Sequence, residues 1–346
     1  MDGKFAAFGL SLSNEDPAPA TVELVRRADA LGFDEVSLPE SRHFRSVFAV
    51  AAASLVATDR ARVRIGIANP VTRHPAVLAM EAATLAELGP GRLVFGVGAA
   101  VWTMAALGYA PPGWKPYTHT LETIRALRAW LGGQALGFTP TTFAALPHTR
   151  LDFTPPPGIP IELGAVSARM MEAGGEVADG VQLGALTSAR YVTWARERIA
   201  AGAARVGREG GGIRVSANIL LSVDRDRAAA RRAVRDVLAY YLARVEGVVV
   251  DESGADPADV AAVRDAVGRG GVGAGRDVVS DDLVRVFAVA GTVDDVLGQL
   301  APYAAAGLDV PLAWHTFGPD RAAAIETLAH AVRPALVREA AGPSGG

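Results

Sequence analysis

The sequence predicts a (β/α)8 barrel, the TIM barrel, formed by a single domain over residues 1–346. Short apolar runs alternate with helical segments along the chain, and such repeats form parallel strands joined by crossover helices. Eight runs begin near residues 5, 33, 63, 93, 160, 180, 213 and 309, and eight parallel strands close a barrel. An open doubly wound sheet is the alternative, but no G-x-G-x-x-G motif follows the first strand.

Composition excludes several classes of function. The chain is 50% hydrophobic and 21% charged, as in a globular protein, and its net charge of -3 argues against a nucleic-acid partner. The absence of cysteine excludes disulfides, thiolate metal sites and cysteine nucleophiles. The six histidines show no ligand spacing with carboxylates, so we expect no metal. With no signal peptide and no long apolar run, we expect a cytoplasmic protein without a membrane partner.

The first half of the chain follows the strand–helix rhythm closely. Gly32 stands where a helix C-cap glycine belongs, and Pro75 fits the first turn of a helix. The predicted strands here are Phe5–Ser13, Phe33–Leu38, Val63–Ala68 and Leu93–Gly98, and the helices are Ala20–Leu31, Val47–Ala57 and Ala76–Leu88.

The second half continues the rhythm with insertions at about 99–117, 132–158 and 246–290. The predicted strands are Ile159–Gly164, Gly180–Leu183, Ile213–Val223 and Asp309–Ala313. The predicted helices are Thr118–Leu131, Ala168–Ala178, Ser188–Val206, Arg225–Val245, Asp281–Val289, Thr292–Ala306 and Pro319–Val337.

Two stretches predict the floor of a ligand site. Val63–Pro75 reads as a buried strand closed by Asn-Pro, and Leu93–Ala100 reads as a second strand ending in small residues. Glycine at such a strand end lets backbone and a flat ligand approach closely. The structural alternative is two core strands of any α/β protein.

At these residues the chain resembles the bacterial luciferase-like superfamily. The similar segments include Ile65–Pro70 (I-G-I-A-N-P), Gly91–Ala99 (G-R-L-V-F-G-V-G-A), Leu151–Gly164 and Val279–Val296. Within the superfamily the chain is most similar to the branch that uses the deazaflavin coenzyme F420, and especially to methylenetetrahydromethanopterin reductase. The resemblance implies a luciferase-like TIM barrel, a homodimer and coenzyme F420.

The resemblance also implies a coenzyme site. Gly66-Ile67 matches a cis peptide beneath the coenzyme's central ring, and Glu40 matches an acidic position near its pyrimidine edge or side chain. Segments Gly164–Ser167 and Gly180-Val181 match those that hold its phosphate and hydroxylated ring end. A helix N-terminus suits an anion, although Ser167 can equally be an ordinary N-cap. The full predicted set of coenzyme residues is Ser11, Glu40, Gly66, Ile67, Ala68, Asn69, Gly96, Gly98, Gly164, Ala165, Val166, Ser167, Gly180 and Val181.

The substrate half of the site departs from the family. The pterin reductases carry F-G-x-E in the first strand, whereas this chain has Ser11 in place of the glutamate. A serine hydroxyl cannot replace a carboxylic acid as proton donor near neutral pH. We therefore expect a different small-molecule substrate. The candidate catalytic residues are Glu40, His43 and His315, and His74 is more typical of a capping or packing residue.

Other side chains are candidates for substrate or coenzyme contacts. Aromatic residues between strand four and the next helix can cover a flat substrate, or simply pack; they are Trp102, Tyr109 and Trp114. Three arginines are candidates for the acidic tail of the coenzyme, with a solvated surface as the alternative; they are Arg42, Arg45 and Arg73.

The predicted function is therefore an F420-dependent oxidoreductase. It would transfer a hydride between the reduced deazaflavin and a C=C, C=N or C=O bond of a small organic substrate. One alternative is an FMN-dependent monooxygenase of the same superfamily. A second is a flavin-free methylenetetrahydropterin reductase that uses NADPH or NADH. A third, suggested by Ser11, is a barrel that serves only as a binding subunit.

Overall fold

A computed structural model describes residues 4–41, 43–109, 113–146 and 148–338, without the side chain of Trp102. The described residues form nine strands: β1 (Gly9–Ser11), β2 (Glu35–Leu38), β3 (Arg62–Ala68), β4 (Leu93–Val97), β5 (Ile161–Ala165), β6 (Gly180–Leu183), β7 (Arg214–Val223), β8 (Ala288–Gly291) and β9 (Val310–Phe317).

The helices follow the strands along the chain. They are α1 (Ala18–Ala30), α2 (Val47–Val56), α3 (Pro75–Leu88), α4 (Val101–Ala106), α5 (Pro116–Leu131), α6 (Ala168–Val177), α7 (Ala189–Arg205), α8 (Arg227–Ala233), α9 (Arg235–Leu242), α10 (Gly247–Asp251), α11 (Pro257–Val278), α12 (Asp281–Phe287), α13 (Val293–Ala305), α14 (Arg321–Thr327) and α15 (Arg333–Leu336). A 3-10 turn, Gly210–Gly212, and a π-helical turn, Leu328–Val332, complete them. No helix within the described ranges is long and apolar enough to cross a membrane.

The strands form one sheet in the order β6-β5-β4-β3-β2-β1-β9-β7-β8, and β6 also pairs with β7. Eight strands therefore follow one another in a closed ring, and β8 is paired to β7 as an addition. These eight are the eight apolar runs of the sequence. The predicted (β/α)8 TIM barrel is confirmed.

The chain divides into two compact units. The N-terminal unit comprises Leu10–Gly184 and Trp194–Ser216, and the C-terminal unit comprises Met1–Gly9, Ala185–Thr193 and Ala217–Gly346. The single domain over residues 1–346 remains a prediction.

The core of the N-terminal unit lies between its parallel strands and helices α2 and α3. In the strand register Val36 is opposite Val63 and Ile65 is opposite Phe95, and all four are fully buried. The ring of Phe48 on α2 lies 6.2 Å from that of Phe95. Because α2 contains no charged residue, it contributes to this core by hydrophobic burial alone.

The amino-terminal ends of the same strands enclose a buried ionic cluster. Arg64 is fully buried and donates to the carboxylates of Glu35, at 2.7 Å, and Glu162. Arg214 makes a second ion pair with Glu35. Burial alone would raise the pKa of Glu35, but Arg64 and Arg214 outweigh it and hold that pKa below its usual value. The cluster is therefore ionised and mutually compensated.

Several predicted elements differ from the structure, and the last strand, predicted as Asp309–Ala313, extends to Phe317. Asp281–Val289 was expected to be one helix, but α12 ends at Phe287 and β8 follows, paired with Leu220–Val223 of β7. The four-residue run A-V-A-G is too short for periodicity to separate strand from helix. The predicted helix Arg225–Val245 is two helices, α8 and α9, which meet at Val234.

The first strand is also shorter than predicted. Phe5–Ser13 was expected, whereas β1 covers three residues and Phe5 makes an isolated parallel bridge to Val337. The amide of Phe5 donates to the carbonyl of Leu336 at 2.9 Å, so the backbone of Phe5 is satisfied outside the sheet.

Candidate active site

The N-terminal unit brings most of the predicted coenzyme residues to one edge. Strands β2 to β6 are parallel neighbours, so their carboxyl-terminal ends lie side by side. This edge, called the rim below, holds Glu40 after β2, Ala68 and Asn69 at the end of β3, Gly98 after β4, and Gly164–Ser167 at the end of β5.

The backbone of β3 is irregular near the rim. The peptide bond between Gly66 and Ile67 is cis, as the family resemblance implies. The pairing of β3 with β4 shifts register between Ile65 and Ala68. The strand thus has a local bulge directly before the residues that reach the rim.

Three glycines accommodate this bulge. A Cβ atom at Gly98 would overlap the end of the Ile67 side chain, and one at Gly164 would lie 2.9 Å from the same methyl group. A Cβ at Gly96 would lie 2.6 Å from the carbonyl oxygen of Ile65. We expected Gly96 and Gly98 to admit a flat ligand; in the structure all three glycines make room for Ile65 and Ile67.

Two buried polar groups beside Gly66 have no hydrogen-bond partner in the structure: Ser37 Oγ and Gln182 Oε1. A Cβ at Gly66 would overlap Ser37 Oγ and lie 2.9 Å from Gln182 Oε1, so both groups point at this glycine. Buried polar groups are normally paired. Sequence reasoning missed both residues; the only signal was an uncharged polar residue within each strand, Ser37 in β2 and Gln182 in β6.

Glu40 fixes the loop that follows β3. Its Oε2 accepts from the backbone amide of Asn69 at 2.7 Å, and its Oε1 accepts from the Arg73 guanidinium. Asn69 in turn donates its side-chain amide to the carbonyl of Ala99 at 2.8 Å and accepts from the amide of Val71 at 2.9 Å. The carboxylate of Glu40 therefore holds the rim in shape.

Arg73 connects Glu40 to a second carboxylate. Its Nε lies 3.3 Å from Glu81 Oε1, and its guanidinium lies 4.3 Å from the centre of the Phe48 ring. Burial, and secondarily the charge of Glu40, raise the pKa of Glu81, although Arg73 opposes the shift. The suggestion that Arg73 binds the acidic coenzyme tail is not supported, because both carboxylates already engage it. Arg45 donates to the carbonyl of Glu15, and Arg42 lies outside the described residues.

Ser167 caps helix α6. Its Oγ accepts from the amide of Met170 at 3.4 Å, and the side chain is exposed. The first amides of a helix have no acceptor within the helix, so Ala168 and Arg169 present free donors beside this hydroxyl. The N-cap is observed, and an anion-binding role remains a prediction.

Gly180 and Val181 are not brought to the rim. Gly180 begins β6, and a Cβ there would lie 2.9 Å from Glu162 Oε1 of the buried ionic cluster. Val181 is fully buried, and a Cβ at Gly174 would contact its methyl group. Gly180 and Val181 open β6 at its amino-terminal end, away from the rim, so this position lends no support to the role predicted for them at the phosphate and hydroxylated ring end of the coenzyme.

The candidate proton donors occupy different environments. Ser11 ends β1 and is 1% exposed. His43 follows β2, is exposed, and has a left-handed backbone with φ 51°. His315 belongs to the C-terminal unit, where it is exposed near the end of β9 with φ 72°. His74 caps α3 by accepting from the amide of Ala76, so its expected capping role is confirmed.

The loop after β4 is partly helical. Helix α4 occupies Val101–Ala106 within a segment that we expected to be loop. Tyr109 is exposed, and Trp114 is half-buried with its Nε1 donor buried and unpaired. The side chain of Trp102 lies outside the described part of the structure. No group of three or more possible metal ligands occurs among the described residues.

Comparison with known proteins decides the family. The model of the luciferase-like monooxygenase family matches residues 4–310. The chain belongs to this family.

Full-length members of the luciferase-like family resemble the chain. A 5,10-methylenetetrahydromethanopterin reductase of Methanolobus tindarius is 29% identical over 93% of this chain and 98% of its own length. An F420-dependent glucose-6-phosphate dehydrogenase of Beutenbergia cavernae is 27% identical over 89% of this chain and 90% of its own. The coenzyme F420 dependent tetrahydromethanopterin reductase of Methanopyrus kandleri has a solved structure. It matches with a TM-score of 0.88 at 25% identity, over 96% of this chain and 99% of that chain. The resemblance predicted from the sequence is confirmed.

Proposed function

We propose that the chain is an F420-dependent oxidoreductase of the luciferase-like family. Its reaction would move a hydride between the coenzyme and a C=C, C=N or C=O bond of a small organic substrate. The observation that carries this proposal is the similarity over almost the whole chain to an enzyme described as F420-dependent. The glucose-6-phosphate dehydrogenase supports it from a second substrate class.

The residues of the rim fit such a coenzyme. The unpaired Ser37 Oγ and Gln182 Oε1 beside Gly66 offer hydrogen bonds to a polar ring edge. Glu40 and Asn69 hold the neighbouring backbone rigid. The head of α6 at Ser167 offers amides to a phosphate. When bound, the coenzyme supplies the carbon that gives or takes the hydride.

The proposed coenzyme contacts are those of the rim and its supports. We retain Ser11, Glu40, Gly66, Ile67, Ala68, Asn69, Gly96, Gly98, Gly164, Ala165, Val166 and Ser167, and we omit Gly180 and Val181 because they open β6 at its amino-terminal end. The three glycines Gly96, Gly98 and Gly164 act through Ile65 and Ile67 rather than by direct contact.

The substrate differs from methylenetetrahydropterin in this proposal. Ser11 stands where the pterin reductases have their glutamate, and it provides no acid. Glu40 is engaged by Arg73 and Asn69, so it serves as a positioning residue. His43, exposed beside the rim, is the proposed proton donor in the N-terminal unit, and His315 is the alternative from the C-terminal unit.

We further propose a cytoplasmic homodimer formed by α2 and α3 of two copies. These adjacent helices expose large apolar side chains, namely Val56 (68%), Val77 (43%), Met80 (52%) and Leu88 (40%), and α2 is free of charge. An apolar patch of this kind is typical of a protein interface, and a second copy offers the same surface. Met80→Glu should then yield a monomer in light scattering, whereas the exposed Val206→Glu should leave a dimer.

A titration of the coenzyme-free protein tests the proposed function. F420, FMN and NADPH are added separately, and binding is followed by absorbance or calorimetry. We expect micromolar or tighter binding of F420 alone. Preferential binding of FMN would favour a monooxygenase, and binding of NADPH alone would favour a flavin-free reductase; either result would overturn the F420 assignment.

A further inference from the structure

The insertion at 132–158 includes a short strap, residues 141–144, that is held against α5. Four donor groups make five hydrogen bonds to the carboxylate of Glu122. Thr141 and Thr142 each donate a backbone amide, at 2.9–3.0 Å, and a side-chain hydroxyl, at 2.5–2.8 Å. Burial opposes ionisation of Glu122, but these bonds outweigh it and lower its pKa. Glu122 therefore stays ionised below its ordinary pKa, and its hydrogen bonds to Thr141 and Thr142 persist at acidic pH.

The other end of the strap is held by two histidines. The ring of Phe143 lies between them, edge-on to His74 at 5.5 Å and stacked on His119 at 6.3 Å. The Nε2 of His74 also lies 2.7 Å from the carbonyl oxygen of Ala144. Because His74 directly follows Arg73, the strap is attached next to the Glu40–Arg73 pair of the rim.

His74 performs this role only as a neutral ring. Its Nδ1 accepts from the amide of Ala76 at 3.2 Å, so Nε2 carries the proton that is donated to Ala144. If Nδ1 also carried a proton, its N–H would face the backbone N–H of Ala76, and two donors cannot form a hydrogen bond. Protonation of His74 therefore breaks the cap of α3.

His119 is similarly unsuited to a positive charge. Its side chain is 8% exposed, and its Nε2 is buried without a partner. Burial lowers the pKa of His119 below 6.5; Glu122 on the same helix opposes the shift, and His74 adds to it. Residues 141–144 of the strap contribute no ionisable group. Phe143 is the strap residue that stacks on the His119 ring, so its departure would let the charged form of His119 gain hydration.

We propose that the strap is a pH-sensitive latch, docked while His119 is neutral and released at Phe143 and Ala144 when His119 is protonated. The sign follows from the lowered pKa of His119. Docking is fully stabilised above pH 6.5, the ordinary value, and is lost as the pH falls through the value in the folded protein. The Glu122 anchor remains intact over this window, so the release begins at Phe143.

Fluorine NMR of the coenzyme-free protein tests the latch. The protein is labelled with 4-fluorophenylalanine, and the Phe143 resonance is assigned by its loss in Phe143→Leu. Between pH 7 and pH 5 we expect this resonance to move toward the shift of a solvated ring, with about a tenfold fall in the equilibrium constant for docking. Amide exchange at Thr141 and Thr142 should keep its protection factor.

Matched variants separate the latch from general acid unfolding. His119→Phe keeps a ring against Phe143 that cannot be protonated, so this variant should leave the strap docked at pH 5. His330→Gln, which removes an exposed histidine of the C-terminal unit, should behave as the parent protein. A Phe143 resonance of the parent protein that does not move down to pH 5 overturns the proposal. No coenzyme is used, so this result is independent of the proposed function.

Discussion

The two ends of strands β2 to β6 differ in how their buried polar groups are paired. At the amino-terminal ends, Arg64, Glu35, Glu162 and Arg214 form a buried cluster whose charges compensate one another. At the carboxyl-terminal ends, Ser37 and Gln182 are buried without partners beside the bulge at Gly66. The same parallel strands therefore carry paired charges at one end and unpaired neutral polar groups at the other.

The difference indicates where stability and binding reside. A buried charge cluster that is complete gives a ligand nothing to pair with, and removing one member leaves the others uncompensated. Unpaired buried groups cost stability until a ligand or water satisfies them. Substitutions at the amino-terminal end should thus reduce the free energy of unfolding, and those at the rim should mainly change coenzyme affinity.

Arg64→Leu should produce the largest effect. It leaves Glu35 and Glu162 buried without their shared cation, and such a change costs about 3–5 kcal/mol. Urea unfolding at pH 7 measures the loss. Arg62→Leu is the control, because Arg62 is largely exposed and 3.9 Å from Glu35; it should cost less than about 1 kcal/mol.

The same cluster predicts acid sensitivity. Because the pKa of Glu35 is lowered in the folded protein, its contribution is complete above the ordinary value of 4.5 and is lost as the pH falls through the folded value. The parent protein should therefore lose unfolding free energy more steeply below pH 4.5 than Arg64→Leu does. Equal slopes would show that Glu35 does not depend on Arg64.

The glycines of the bulge should give intermediate effects. Gly96→Ala places a methyl group against the carbonyl oxygen of Ile65 and should cost about 1–3 kcal/mol. Gly98→Ala collides with the terminal methyl group of Ile67, which valine lacks. Ile67→Val should therefore rescue Gly98→Ala but not Gly96→Ala in thermal unfolding. If Ile67→Val rescued both variants, the carbonyl oxygen of Ile65 would not be the group that destabilises Gly96→Ala.

Glu40→Gln tests whether the charge of Glu40 supports coenzyme binding at the rim. The amide can still accept from Asn69 but loses the charge that holds Arg73, so coenzyme affinity should fall by about tenfold, or about 1.4 kcal/mol. Calorimetric titration with F420 provides the measurement. Glu87→Gln, on the exposed side of α3, is the matched charge change and should leave the affinity as it was.

Ser167→Asp should have the smallest effect, weakening F420 binding by about fivefold, or about 1 kcal/mol, through repulsion of the phosphate. Ser167→Asn retains an N-cap without the charge. It should bind F420 nearly as well as the parent protein. Equal affinity of the Asp and Asn variants would remove Ser167 from the coenzyme site.

The sequence predicts the ring of strands well because each strand is a short apolar run between turn signals. It misses β8, since Ala288–Gly291 carries no periodicity of its own. The rim residues Glu40 and Asn69 were predicted from the family resemblance. Glu81 and Gln182 were not, because their contacts with Arg73 and Gly66 join positions far apart in the chain. The role of Gly180 and Val181 was predicted from the resemblance alone, and their position at the amino-terminal end of β6 is visible only in three dimensions.

A crystal structure of the protein with F420 tests the central claim most directly. The account predicts that the ring system contacts Ile67, Ala68 and Asn69 at the rim, with Ser37 or Gln182 hydrogen-bonded to it and its phosphate at the head of α6. A coenzyme bound with no contact to Gly66–Asn69 would contradict the account.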